Sequence, residues 1–379
     1  MQWGFEAMAD IKTHLRELSV ATTIGLLSKN ISYSQDDLYN SCKFFELASS
    51  IISNDISSAN NLLKYDIFPA ELKSIIDNGH KLGVAIYKHP HFNINYNSVI
   101  RWLGNDTQKG DPIDIVVGEY GFSLKEDSFI LKNMGLYNFL NSMTGRSYER
   151  GLHVFSTFAF DDYEDWFKYT WASFTRYLVN NNGWTFVKNG KTYSAYILDL
   201  SINMCYGDFK SIVPINISST KEYMKYTNSV IREKVFAKWI NQVFSKDDEY
   251  KRLKKVCAEK AGYEIYNLIN NNFDSVYIYD FLQIYDFEYY YAKTTATETT
   301  ILRVPSIKDF NSNIEFVSCD YDVPDSQLNI ISTFRNKNTG KEISFRNECR
   351  FSHGQFNGTP EAKMYVVRNS PLTELYNPI

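Results

Sequence analysis

The sequence predicts an α/β fold: a mixed sheet flanked by helices, preceded by a helical segment and followed by a β-rich C-terminal part. Three observations carry this. Apolar residues recur at helical spacing through much of the first hundred residues and again between residues 160 and 260. Short runs rich in β-branched residues stand between Gly, Pro and Asn punctuation near residues 113–125 and 184–198. Beyond about residue 290 the pattern changes to short alternating runs with few helix signals. A hydrophobic content of 44% against 22% charged residues is enough for packed cores, and 379 residues allow one large domain or two ordinary ones. The reading divides the chain at 1–290 and 291–379.

Taken in order, Ser34 is placed to cap a helix carrying Leu38, Phe45, Leu47 and Ile51. "FPAELKSIIDNG" reads as a helix with Pro69 in its first turn and a stop at Gly79. "NSVIRWLG" fits a strand or a short helix equally. "IDIVVG", bounded by Pro112 and Gly118, reads as a strand, "GEYG" as a turn and "FSLK" as the next strand. Asp127 is expected to cap a helix presenting Phe129, Ile130, Met134, Tyr137 and Leu140, ending at Gly145. "HVFSTFAF" reads as a buried strand. "DDYEDWFKYTWASFTRYLV" reads as a helix with Trp166, Phe167, Trp171, Phe174 and Leu178 inward and an acidic start that suits the helix dipole. Asn189-Gly190 marks a hairpin turn. From Ser229 to Lys260 helical spacing returns, with Val235, Phe236, Trp239, Ile240, Val243 and Phe244 on the apolar side. The triplets Asn180–Asn182 and Asn270–Asn272 read as loop tips, and Asn338-Thr339-Gly340 as a turn.

Composition narrows the function. The net charge of −4 makes a nucleic-acid partner depend on local basic patches. The strongest patch is Ile231–Lys260, where nine Lys or Arg face five acids; the same pattern fits the wet side of an amphipathic helix. No basic-then-apolar leader and no run of about 18 apolar residues is present, so neither a signal peptide nor a membrane span is expected. Five scattered cysteines (Cys42, Cys205, Cys257, Cys319, Cys349) suit free thiols in a reducing, cytoplasmic setting. Without a CxxC pair a structural zinc site is not expected, and His89-Pro90-His91 has no third ligand type nearby in sequence.

The chemistry concentrates in "GDPIDIVVGEYGFSLKEDS". Asp114 enters one apolar strand and Lys125 closes the next. If these strands pair, both side chains reach one edge of the sheet. A carboxylate there can hold a hard divalent cation, and a lysine beside it can orient a water or offset charge on a phosphate. No Ser/His pair stands nearby for acyl transfer.

This stretch resembles the PD-(D/E)xK nucleases, most nearly their type II restriction endonuclease branch. The resemblance covers about 20 residues closely and extends loosely to "ILKNMGLYNFL". It implies a restriction-endonuclease-like sheet, Mg²⁺ as cofactor, and sequence-specific cleavage of double-stranded DNA by a homodimer. The motif acid two residues before the lysine is replaced by Ser123. Some restriction enzymes resemble this and take the missing carboxylate from elsewhere. Glu71 and Glu126 are the first candidates to join Asp114 as metal ligands, ahead of Glu149; Glu119 lies in the turn, and Asp111 is a second choice for the motif acid.

"GKEISFRNECRFSHGQFNGTP" supplies a second candidate surface. As a strand it sets Ile343, Phe345, Asn347, Cys349 and Phe351 on one face and Arg346, Glu348 and Arg350 on the other, with His353, Gln355 and Asn357 on the loop that follows. Arg, Asn and Gln are the side chains that read base edges with paired hydrogen bonds, so Arg346, Arg350, His353, Gln355 and Asn357 are the expected DNA contacts. A solvated edge strand would show the same pattern. Two rival readings remain open: a nuclease of the same superfamily acting in repair or on RNA, and a DNA-binding module without catalysis.

Overall fold

The computed structural model describes residues 11–40, 68–103, 112–125, 130–147, 154–295, 298–310, 313–358, 360–367 and 370–379. It is a mixed α/β structure with helices toward the N-terminus and a β-rich C-terminal part.

Helix α1 (Ile11–Ser28) is buried along almost its whole length, from His14 through Leu26. Ser34 caps α2 (Gln35–Tyr39) through a capping box with Asp37. The helix stops at Asn40, and Phe45, Leu47 and Ile51 lie outside the described residues. Pro69 is the N-cap of α3 (Ala70–Lys88) rather than a member of its first turn. This helix also runs through Gly79 instead of ending there. A Cβ on Gly79 would lie 2.6 Å from the Arg16 carbonyl oxygen, and one on Gly83 would lie 2.8 Å from the Thr23 Cβ. These glycines, one turn apart, serve close packing of α3 on α1, which outweighs their cost of about 1 kcal/mol each within a helix.

"VIRW" resolves as strand β1 (Ile100–Trp102), followed by β2 (Ile115–Val117) and β3 (Tyr120–Lys125). The expected helix from residue 129 is in its first half a strand, β4 (Ile130–Gly135), and only then α4 (Leu136–Thr144), closed by Gly145 at φ 65°. Its spacing is helical, but β4 is an edge strand paired to a segment more than 200 residues away (Ala362↔Met134), and that long-range ladder overrides local periodicity. Asp127 lies outside the described residues. "VFSTF" is a helix, α5 (Val154–Phe158), where a strand is expected; it leads directly into α6 (Phe160–Asn180) through bonds such as Ala159 N–H to the Phe155 carbonyl, 2.8 Å. All five expected core residues of α6 are buried.

Strands β5 (Trp184–Lys188), β6 (Lys191–Leu198), β7 (Ser201–Tyr206) and β8 (Phe209–Pro214) form a meander. Asn189 and Gly190, at φ 51° and 72°, make its first turn. After α7 (Thr220–Tyr226) the helical run from Ser229 winds as a π-helix over Arg232–Phe236 and again over Ile240–Phe244. The wider winding rotates the expected apolar stripe, so Val235, Phe236, Trp239 and Ile240 are buried while Val243 is exposed. Asn270–Asn272 form the last turn of α8 (Asp248–Asn272), not a loop tip. Asn270 donates to the Cys319 carbonyl at 2.9 Å and accepts from the Cys319 N–H at 3.0 Å, copying a strand's bonding. The chain continues through α9 (Ile278–Leu282), β9 (Tyr289–Thr294), β10 (Thr299–Val304), α10 (Ile307–Phe310), β11 (Ile314–Asp322), β12 (Asn329–Asn336), β13 (Glu342–Arg350), β14 (Glu361–Val366) and β15 (Asn377–Pro378).

Two compact units result. One comprises residues 1–129, 283–314 and 371–379; the other 130–282 and 315–370. The expected division at 290/291 falls inside β9, in a segment that returns to the first unit. The first unit holds one mixed sheet, ordered β1-β2-β3-β9-β10-β15, in which β3 and β9 are parallel and the other pairs antiparallel. Its core joins α1, α3, Phe122, Leu124, Tyr290 and Ala292. The second unit holds the meander and a sheet ordered β11-β12-β13-β14-β4, with an aromatic core around Trp166, Phe167, Trp171, Phe236 and Phe356. Among the described residues no helix is long and apolar enough to cross a membrane.

Candidate active site

Asp114 and Lys125 meet because β2 and β3 pair across a tight turn. Asp114 is fixed at three points just before β2. Its N–H donates to the Phe122 carbonyl at 2.8 Å, its carbonyl accepts from Leu103 N–H at 2.8 Å, and its Oδ2 accepts from Leu124 N–H at 2.6 Å. The carboxylate is thereby pinned against the end of β3, and Lys125 is the opposing charge that acts on it most strongly.

Helix α1 brings the next charges. Arg16 reaches the Leu124 carbonyl from Nη2 at 3.5 Å. Glu17, 3% exposed, is held by Trp102 of β1, whose Nε1 donates to its Oε2 at 2.9 Å, with His14 Nδ1 at 3.7 Å. Burial pushes the Asp114 pKa up to about 6. The Glu17 charge adds to the rise; Lys125 opposes it most strongly, helped by the Leu124 N–H and Arg16. A carboxylate raised by burial and by a neighbouring negative charge, with a lysine acting on it, is the kind of perturbed group that gathers at functional sites.

Glu71 and Glu126 are the acids expected from the sequence to stand in for the missing one. Glu71 stands exposed in the first turn of α3 and is not among the charges that shift Asp114. Glu126, Glu149 and Asp111 lie outside the described residues, and Glu119 is exposed in the β2–β3 turn. The carboxylate delivered to Asp114 is Glu17. The one trace it leaves in the sequence is a lone acid in "HLRELSVATTIGLL", a run whose other residues, apart from His14 and Arg16, are apolar, small or hydroxylic. Ser123 is 1% exposed, and among the described residues its Oγ has no hydrogen-bond partner. A carboxylate in its place would be a third negative charge in buried surroundings, which explains why a small neutral side chain is accommodated there.

No three His, Cys, Asp or Glu side chains among the described residues form a metal-holding group. The donor set that is present, the Asp114 and Glu17 carboxylates, fits a hard cation of the Mg²⁺ kind, which takes one or two carboxylates and fills its remaining positions with phosphate oxygens and water. His91 bonds through Nε2 to the Tyr290 hydroxyl at 2.9 Å, an aromatic contact on the α3 side of the sheet.

In the second unit the expected alternation of β13 holds: Ile343, Phe345, Asn347 and Cys349 are buried, and Arg346 and Arg350 are exposed. Arg350 pairs with Glu348 at 2.7 Å, and Arg346 lies 5.0 Å over the Tyr365 ring. His353 stands between Glu233 and Glu361, at 3.5 and 3.8 Å. The loop is drawn inward by Phe356, so Gln355 Oε1 is buried and Asn357 Oδ1 accepts from Arg232 Nε at 2.7 Å. In the basic stretch, Lys251, Arg252, Lys255 and Lys260 pair with helix neighbours, an amphipathic helix's wet side.

The chain matches no family model, no curated protein and no solved structure.

Proposed function

We propose that this protein is a Mg²⁺-dependent endonuclease that hydrolyses phosphodiester bonds in double-stranded DNA at specific sequences, as a homodimer, in the manner of the type II restriction enzymes its central motif resembles. The observation that carries the reading is the convergence of Asp114, Lys125 and Glu17 at one end of the first unit's sheet. Asp114 and Glu17 would hold the cation. When bound, Mg²⁺ supplies charge stabilisation to the phosphate and acidifies water. Lys125 orients the attacking water and offsets the charge that builds on the phosphate in the transition state. The Leu124 N–H and the Trp102 indole hold the two carboxylates in place, so little reorganisation is needed when substrate arrives.

Arg346 and Arg350, exposed on β13, are the groups best presented for base edges. The burial of Gln355 Oε1 and the engagement of Asn357 by Arg232 favour a second reading, a nuclease of the same superfamily that cuts without base-specific contacts. Digestion of one long DNA with Mg²⁺, followed by sequencing of the ends, separates the readings. Discrete ends support a restriction enzyme, scattered ends support the second reading, and no Mg²⁺-dependent cleavage overturns both. Arg350→Ala should weaken binding to the cognate sequence by about 1–3 kcal/mol more than binding to random DNA.

A further inference from the structure

Arg16 and Glu17 are neighbours on α1, and both are buried, 7% and 3% exposed. A helix carries two charged residues into a core only where each is answered. Glu17 is answered by the Trp102 indole N–H at 2.9 Å, with His14 Nδ1 at 3.7 Å. Arg16 reaches the end of β3: its Nη2 donates to the Leu124 carbonyl at 3.5 Å, and the N–H of that same leucine donates to Asp114 Oδ2 at 2.6 Å. Burial apart, the charges that act on Asp114 are Lys125, Glu17 and Arg16. With Asp114 ionised, the group holds two negative and two positive charges, so it is balanced as it stands. A protonated His14 would only add to the positive side. Buried charges tolerate little net excess, and a guanidinium cannot shed its proton to make room for another cation. A divalent cation arriving alone would leave two positive charges unanswered. One arriving with a phosphodiester, which brings its own negative charge, halves that excess.

We infer that Arg16 is the resident counter-ion of Asp114 and Glu17, and that it makes the site take its cation together with the phosphate of the substrate rather than before it. The inference rests on the nuclease reading for the cation and the substrate, and on the packing of α1 for the residue.

The test uses the full chain with Ca²⁺, which shares the oxygen-ligand preference of Mg²⁺. It compares the wild type with Arg16→Met, which keeps the apolar stem, Arg16→Lys, which keeps the charge, and Asp114→Asn. Ca²⁺ affinity is measured by calorimetry with and without duplex DNA, and DNA affinity with and without Ca²⁺ at constant ionic strength. Coupling is reciprocal, so both ratios in the wild type should show the same tightening, about tenfold or more. Arg16→Met should bind Ca²⁺ without DNA about tenfold more tightly than wild type and lose most of the coupling. Arg16→Lys should keep the coupling, and Asp114→Asn should show none. A gain in metal affinity separates a counter-ion from scaffold, since loss of scaffold only weakens a site. Arg16→Met binding Ca²⁺ no more tightly than wild type would overturn the inference. Should that variant lose its melting transition, the wild-type ratios decide, and equal Ca²⁺ affinity with and without DNA overturns it. If the wild type cleaves and shows no coupling, only this inference fails. If Ca²⁺ and DNA tighten one another without any Mg²⁺-dependent cleavage, the nuclease reading fails and the counter-ion stands. No Ca²⁺ binding in either condition overturns both.

Discussion

At the scale of single residues, the site sets function against stability. Asp114 ionises near pH 6 in the fold, against about 3.9 in an unfolded chain, so the folded state binds its proton more tightly. The ionised carboxylate therefore costs stability at all pH values above about 6, and that cost fades as pH falls from 6 toward 4. Asp114→Asn keeps the shape and an acceptor for Leu124 N–H but has no charge to bury. It should be more stable than wild type at pH 8, by an order of 1–3 kcal/mol, with the gap closing near pH 4.5. Urea melts at the two pH values check this, and a gap that widens in acid would refute the assignment. The same variant should lose cleavage. Glu17→Gln keeps an acceptor for Trp102 and should still fold, yet lose more than about 100-fold in cleavage, with a weaker dependence on Mg²⁺. If Glu17 on α1 supplies the carboxylate that Ser123 lacks, Ser123→Ala should retain measurable cleavage. If Glu17→Gln cuts normally while Glu71→Gln does not, the carboxylate has been misassigned.

At the scale of elements, the packing of α1 on α3 is what puts Glu17 in reach of Asp114. Gly79 lets the two helices touch, and a side chain there must push the Arg16 backbone aside. Gly79→Val should destabilise the protein by roughly 1–3 kcal/mol through overpacking. It should also slow cleavage beyond any loss of folded protein, since Arg16 and Glu17 move with the helix. Measurement of cleavage per folded molecule, with folding followed by circular dichroism, distinguishes the two effects. Normal specific activity would mean that α1 does not position the site.

At the scale of the molecule, the first unit is assembled from three separated stretches of chain. β9 needs both β3 and β10 as neighbours, and a cut after residue 290 divides β9 itself. A fragment of residues 1–290 should therefore show no cooperative melting of the first unit and no cleavage, although it contains Asp114, Lys125 and Glu17. Cooperative unfolding and cleavage by that fragment would place the working nuclease entirely upstream of residue 291. The homodimer reading predicts sedimentation at twice the monomer mass at the concentrations where cleavage is measured.

The sequence by itself determined what short-range physics controls: the helix cap at Ser34, the Asn189-Gly190 hairpin, the stripe of α6, the alternation of β13, and the Asp114–Lys125 pair, whose two strands are joined by a tight turn. Where a residue's partner is far away in the chain, only the tertiary structure decided. Residues 130–135 have helical spacing but pair with β14; Gly79 looks like a stop until α1 is laid against it; and Asn270–Asn272 look like a loop tip until Cys319 is in place. The site divides the same way. The two charges eleven residues apart were legible, because one turn fixes their distance. Glu17 could be noticed only as an odd charge; its place beside Asp114 was not legible, because helix packing brings it there and leaves no spacing in the sequence.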